Sequence, residues 1–273
     1  MKNRISHILA WLFSFDITYN FFSKYKSENS YIDFLILYSI RFKDQRLIKS
    51  YFKNTKIIKG VFVDLLIPKY KVVTSAYYPK LLGTYEIEIQ DHILNFISDL
   101  RNTYFIDFGC ADGYYLAVAK KVRQDLLVIG VDIDEKALKL SYNILKQNKL
   151  NDTKIILSKE FDEESIRNYS QGIMVVDCEG FEAKLIENLS NTFIQKTNFI
   201  IEIHDFVDAT IFENVSNKLS LTHTMNVDYS TELENKLISI PIELNCLSNQ
   251  SKFDLITESR PQKMRWIIAQ IKI

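Results

Sequence analysis

Glycine and proline are scarce in this chain. Seven glycines occur in 273 residues, and in so lean a sequence a glycine marks a place where a side chain is not tolerated. The four prolines, Pro68, Pro79, Pro241 and Pro261, leave 80–240 uninterrupted, so that stretch reads as one continuous core. Three cysteines, Cys110, Cys178 and Cys246, have no metal-ligand spacing. Their odd number argues against a disulfide framework and points to a reducing, cytoplasmic setting. Net charge is also missing, with 34 Lys and Arg against 34 Asp and Glu. The absence of a basic excess or stripe argues against nucleic acid as a partner. No apolar run reaches the roughly 20 residues needed to cross a bilayer. The nearest, Ile8 to Phe15, lacks a small-residue cleavage site and reads as a helix packed on the main domain. Its Trp11, Phe13 and Phe15 also suit an interfacial membrane helix, which is the sharper alternative.

What is present is an apolar fraction of 47%, enough for a sizeable core, and an alternation of two patterns. Strands are expected at 103–108, 127–132, 153–158, 172–177 and 197–203. Helices are expected at 114–123, 135–148, 161–169, 181–190 and 208–219. Leu221 to Tyr229 and Trp266 to Ile273 complete seven strands. Strands alternating with helices imply an α/β fold: a Rossmann-like, doubly wound, mostly parallel seven-stranded sheet with an antiparallel edge strand. Residues 81–273 make this domain, in which 231–262 is long for a loop and suits a lid. Residues 1–80 are a mainly helical extension. Ile57 to Val63 and Tyr70 to Ser75 in it suit a small hairpin, and Ile89, Ile93, Phe96, Ile97 and Leu100 just after it have helical spacing. The extension is suited to covering the active site, pairing two subunits as a homodimer, or touching a membrane.

Two of the seven glycines fall in one turn, Asp107-Phe108-Gly109-Cys110-Ala111-Asp112-Gly113. It follows an apolar run and precedes a helical one, which is the first βα unit of a nucleotide-binding sheet. The dinucleotide pattern G-x-G-x-x-G is absent. A carboxylate opens the turn instead, which serves a pyrophosphate poorly and a ligand bearing an ammonium and a sulfonium well. S-adenosylmethionine is such a ligand. The next strand ends Gly130-Val131-Asp132-Ile133-Asp134, about twenty residues on, where an acid suits the hydroxyls of a ribose. Asp132 also suits a helix N-cap, but Asp134 suits that role better.

These segments resemble the class I S-adenosylmethionine-dependent methyltransferases. Asp177-Cys178-Glu179-Gly180-Phe181-Glu182 resembles the D-x-E-G-x-E signature of the FkbM-type branch, and Gly83-Thr84-Tyr85-Glu86 resembles a lead-in found in related sequences. The resemblance covers roughly Leu81 to Phe206. It implies S-adenosylmethionine as cofactor, held by Tyr85, Glu86, Asp107, Gly109, Cys110, Gly113, Asp132, Ile133, Glu160 and Phe161. By position after the third strand, Glu160 and Phe161 suit flanking the adenine, and Glu160 equally suits the start of a helix. Tyr85 and Glu86 suit the methionine end or the acceptor, and equally ordinary helix-start chemistry. Cys110 and Ala111 depart from the smaller, more flexible turn that is common in such sequences. The acceptor it implies is a small-molecule or glycan hydroxyl, as in polysaccharide biosynthesis. A methyltransferase-fold binding or scaffold protein without catalysis is the alternative.

Chemistry in such sheets sits at the carboxyl ends of the strands. The fourth strand ends in Asp177 and the fifth in Glu202-Ile203-His204-Asp205, where alternation puts Glu202 and His204 on one face. Two roles remain open for them. His204 is a general base oriented by Glu202 or Asp177, or Asp177, Glu202 and His204 ligate a hard divalent cation such as Mg2+ that binds a diol. Arg260, just before the last strand, suits an anionic substrate group or a salt bridge equally.

Overall fold

A computed structural model describes residues 30–68, 76–258 and 260–272. The apolar run at residues 8–15 and the second hairpin run at 70–75 lie outside these. The chain divides into two compact units. In the smaller, residues 30–54 join Leu233–Thr257. Its helices are Ser30–Tyr51, Leu233–Leu237 and Asn249–Ile256. Ser248 caps the last by accepting from Ser251 N, and is itself held by Asp44, whose Oδ2 accepts from Ser248 Oγ at 2.6 Å. The expected loop 231–262 thus carries two short helices and a 3-10 turn, Ile242–Leu244, and its middle groups with the helix Ser30–Tyr51.

The larger unit, Thr55–Glu232 with Glu258–Ile273, carries the sheet. Its strands are β1 (Asn102–Phe108), β2 (Leu127–Val131), β3 (Ile155–Ser158), β4 (Gln171–Val176), β5 (Thr197–Ile203), β6 (His223–Tyr229) and β7 (Arg265–Ile271). They are ordered β3-β2-β1-β4-β5-β7-β6. Neighbours from β3 to β5 pair in parallel. At the far edge β7 runs against both β5 and β6 and lies one place in, with β6 outermost. This is the expected Rossmann-like doubly wound sheet. Its order reverses between β1 and β4, the point where such sheets open a crevice at their carboxyl ends.

β1, β2, β4 and β5 are buried along almost their whole length, as strands covered on both faces must be. One core cluster joins Ile106, Ile129, Met174, Val176, Phe199 and Ile201 to Phe193, Val215 and Ile267. Helix Glu135–Gln147 buries Ala137, Ser141, Ile144 and Leu145 and is capped by Asp134, which accepts from Lys136 N. The helix expected at 161–169 is a single 3-10 turn, Glu163–Ile166, because Ile166 alone is buried there. Around the expected hairpin the described residues show one antiparallel bridge, Lys56 to Leu66.

Candidate functional site

The glycine turn is built by close approach. Gly109 has φ +88°, and a Cβ on it would fall 1.7 Å from the Asp177 carbonyl oxygen. Only glycine lets the ends of β1 and β4 meet here. Gly130, mid-strand in β2, is a softer case, since its Cβ would meet only the side-chain ends of Leu116 at 2.6 Å and Leu157 at 2.8 Å, which would have to shift. The turn's amides are then spent inside the protein. Gly109 N and Cys110 N both donate to the Val131 carbonyl, at 2.8 and 3.0 Å, and Gly113 N donates to Cys110 O at 2.7 Å. Ala111 N, from a residue with φ +46°, donates to Asp132 Oδ2 at 2.9 Å. A pyrophosphate-binding turn keeps such amides for its ligand; this one does not.

Asp107 lies buried at the end of β1. Burial, then the charges of Asp177, Glu86 and Asp112, pushes its carboxyl well above the usual range, against a lowering pull from Lys80. Cys110 is turned inward, with Sγ 3.5 Å from Ser141 Oγ, and burial pushes its thiol up. Asp112 is clamped by both carboxylate oxygens to buried Lys80 Nζ, at 2.9 and 2.8 Å. Lys80 Nζ also lies over the Tyr85 ring, 4.7 Å from its centre.

Asp132 is half-buried at the end of β2. Its Oδ1 accepts from Asp134 N at 2.9 Å while Oδ2 holds Ala111 N. A carboxylate has about four lone-pair positions, so two remain. Beside it Ile133 stands 88% exposed, an apolar side chain left for a ligand to cover. Glu160 is exposed. Phe161 packs its ring on Phe193 at 5.4 Å and so leans into the core.

Tyr85 and Glu86 are pinned before β1 by Gln90, whose Nε2 donates to Tyr85 O at 2.8 Å. Burial, then Glu86 and Asp177, raises the Tyr85 hydroxyl's pKa well above its usual value. Glu86, buried with φ +47°, accepts from Tyr115 Oη and from Arg260 Nη2 at 2.9 Å. Arg260 further donates to Glu202 and to Glu258 Oε2 at 2.9 Å. Glu202 therefore belongs to Arg260 and does not orient His204, contrary to the reading from alternation. Of the two roles open to Arg260, the salt bridge is the one formed, and it is a buried one.

The partner that orients His204 is Glu182, which sequence reasoning missed. His204 Nδ1 donates to Glu182 Oε1 at 2.8 Å, and the same oxygen accepts from Gly180 N at 3.0 Å and Cys178 N at 3.3 Å. The last acid of D-x-E-G-x-E thus ties its own loop to β5; the motif was the available signal. Burial pushes the Glu182 carboxyl up, but the His204 bond and the Gly180 amide outweigh it, so it is held low and ionised. A carboxylate only accepts, so Nδ1 carries a hydrogen and Nε2 points the other way. Nε2 lies 3.5 Å from Asp177 Oδ1 and 3.6 Å from Glu179 Oε2. Burial lowers the His204 pKa, and Glu182, Asp177 and Glu179 together raise it above its ordinary value. Asp177 is pushed up to about 7 by burial and by Glu86, with His204 pulling the other way.

The expected metal set of Asp177, Glu202 and His204 is not assembled as one group. Among the described residues, Asp177 is shared by two clusters whose ligand atoms lie within 4.8 Å: Asp177, Glu179 and His204, and Glu86, Asp177 and Glu202. Arg260 already holds Glu86 and Glu202 of the second.

No family model matches the chain, and no curated protein matches it. Solved structures do. Geranyl diphosphate methyltransferase in complex with S-adenosylmethionine is similar over 76% of this chain and 92% of its own, at 10% identity and TM-score 0.43. Precorrin-6y C5,15-methyltransferase from Geobacter metallireducens GS-15 is similar over 52% and 74%, at 10% identity and TM-score 0.39. Precorrin 8W decarboxylase from Methanobacterium thermoautotrophicum is similar over 52% and 74%, at 17% identity and TM-score 0.38. Scores of this size carry no argument about activity, which rests on the chain's own residues. Among the described residues no helix is long and apolar enough to cross a membrane.

Proposed function

We propose that the chain is an S-adenosylmethionine-dependent O-methyltransferase of the FkbM type, acting in the cytoplasm on a hydroxyl of a sugar, glycan or related metabolite. The observation that carries this is the glycine turn. Its amides at Gly109, Cys110, Ala111 and Gly113 are engaged within the protein, and a buried acid, Asp107, opens the turn, which together count against a dinucleotide pyrophosphate. The acids Asp107 and Asp132 stand at adjacent strand ends, suited to an ammonium or sulfonium and to a ribose diol. Ile133 beside Asp132 offers an apolar surface for a base. The residues present fit the methyl donor.

When bound, the donor supplies an already activated methyl carbon, whose bond to sulfur breaks, with its electron pair going to sulfur, as the oxygen–carbon bond forms. The chain's task is then alignment and proton removal. Asp132 fixes the adenosine end, and Asp107 with Tyr85 faces the charged end. The acceptor oxygen would lodge at Asp177, Glu179 and His204, and its proton would pass to His204 Nε2 or, with a cation held there, to bulk water. Glu182 holds His204 in one tautomer for that step. Glu202 acts through Arg260, which it helps to hold beside Glu86.

A binding or scaffold protein without turnover is the second reading. The observation favouring it is that Arg260 already engages Glu86 and Glu202 at this strand end. Calorimetry with S-adenosylmethionine, S-adenosylhomocysteine and NAD tests the first reading. Binding of the first two and not the third is expected; absence of binding to both, with the fold intact by circular dichroism, overturns it.

A further inference from the structure

We propose that Asp177, Glu179 and His204 form a binding site for a divalent cation of the Zn2+ type, with three protein ligands and one open position. His204 is nine-tenths buried and turned by Glu182 so that Nε2 faces two carboxylates. A cation that displaces the proton from Nε2 leaves an imidazole whose Nδ1–H is given to a carboxylate and whose other nitrogen offers a lone pair. This carboxylate–histidine pairing orients metal-binding histidines in general. Asp177 Oδ1, opposite it, is buried and makes no hydrogen bond. A buried carboxylate oxygen without a hydrogen bond is costly, its 3.5 Å approach to Nε2 is too long to supply one, and an ion between the two removes that cost.

The donor set, one imidazole with two carboxylates, bears on which ion, and two of its spacings agree with that set. Ligands on a tetrahedral centre with bonds of about 2.1 Å stand about 3.4 Å apart. The observed separations from Nε2 are 3.5 and 3.6 Å. An octahedral Mg2+ brings neighbouring ligands to about 3.0 Å and favours oxygen over imidazole. One imidazole and two carboxylates therefore fit Zn2+ better than Mg2+. Three protein ligands with a fourth position open is the pattern of a catalytic rather than a structural ion. Glu179, whose side chain is 82% exposed, stands on the solvent side.

The use of the ion rests on the proposed methyl transfer: its open position takes the acceptor hydroxyl and acidifies it, and the proton goes to bulk water. Binding of the ion does not rest on that reading and is measured without any methyl donor. Metal-stripped protein is titrated with Zn2+ and, separately, Mg2+ by calorimetry, and with Co2+ by visible absorption. One equivalent of Zn2+, much weaker Mg2+, and an intense tetrahedral Co2+ spectrum are expected. His204→Gln and Glu179→Gln abolish the spectrum and the stoichiometric site. Glu182→Gln, which removes only the positioning charge, weakens Zn2+ roughly tenfold to a hundredfold. Glu179 is exposed, so its variant folds even where a change at His204 does not. Absence of a stoichiometric site, or Zn2+ affinity unchanged in Glu179→Gln, overturns the proposal. Zn2+ binding without S-adenosylmethionine binding leaves the site standing and refutes the methyl-transfer reading; the reverse result refutes the site alone.

Discussion

Replacing Asp132 separates a structural from a ligand-binding role in one residue. Its carboxylate accepts two backbone amides, Ala111 N and Asp134 N, both at 2.9 Å. A hydrogen bond to a charged group contributes about 1.5–3 kcal/mol, with the lower end fitting a half-exposed site. Asp132→Ala therefore lowers the unfolding free energy by about 3 kcal/mol. Asp132→Asn keeps one carbonyl oxygen but turns an NH2 toward the other amide, so about half of that loss is expected. The two lone-pair positions left over are those assigned to the ribose. Losing both contacts weakens S-adenosylmethionine by a factor on the order of 10² to 10⁴ in the alanine variant, with a smaller loss in the asparagine variant. Urea unfolding reads the first quantity and calorimetry on the folded protein reads the second. An alanine variant that is destabilised yet binds the methyl donor within threefold of the parent refutes the ribose role. One of unchanged stability refutes the reading of the two amide bonds.

Three further outcomes follow from the same geometry. Gly109→Ala sets a Cβ 1.7 Å from the Asp177 carbonyl at φ +88°, so urea unfolding should show a loss above about 2 kcal/mol, from left-handed strain plus parting of the strand ends; a change under about 0.5 kcal/mol contradicts the close approach. Lys80→Met strands Asp112 without its buried partner and is expected to cost about 3–5 kcal/mol, most of it recovered in Lys80→Met with Asp112→Leu; additive losses in thermal unfolding argue against the pair. Asp107→Asn addresses pH: burial first, then Asp177 and Glu86, raises the folded-state pKa, so the native protein binds the extra proton and its stability, full below the unfolded carboxyl pKa, falls as pH rises through the folded value. The variant, tested without ligand, gains stability over the parent as pH rises while binding the methyl donor more weakly; parallel urea midpoints across pH contradict this.

The sheet was legible because its strands are short β-branched runs bounded by turn residues, and β1, β2, β4 and β5 match the expected spans to within a residue or two. Asp134 as helix cap was legible for the same local reason. What was not legible depends on residues distant in sequence. Alternation gave Glu202 and His204 one face, but Arg260, 58 positions on, takes Glu202 and leaves His204 to Glu182. The turn's glycine spacing gave the βα unit correctly, yet where its amides point is set by the Val131 carbonyl and Asp132 on the neighbouring strand. The expected helix at 161–169 had apolar residues at roughly helical spacing, but Phe161 turns to Phe193 and Ile166 alone is buried, so one 3-10 turn suffices.

Charge at the strand ends ties the site together. Arg260 is divided among Glu86, Glu202 and Glu258, Lys80 is bound to Asp112, and His204 is shared by Glu182, Asp177 and Glu179. Adding Asp107, carboxylates outnumber cations at these strand ends, and the raised pKa values of Asp107 and Asp177 are the signature of that excess. Such a cluster repels phosphate or carboxylate and favours ligands that bring positive charge. The proposed sulfonium donor with its ammonium would bring such charge, as would a divalent ion at the proposed site of Asp177, Glu179 and His204. An uncharged hydroxyl would meet the least resistance beside these acids, which favours a neutral acceptor over a phosphorylated one in the proposed reaction.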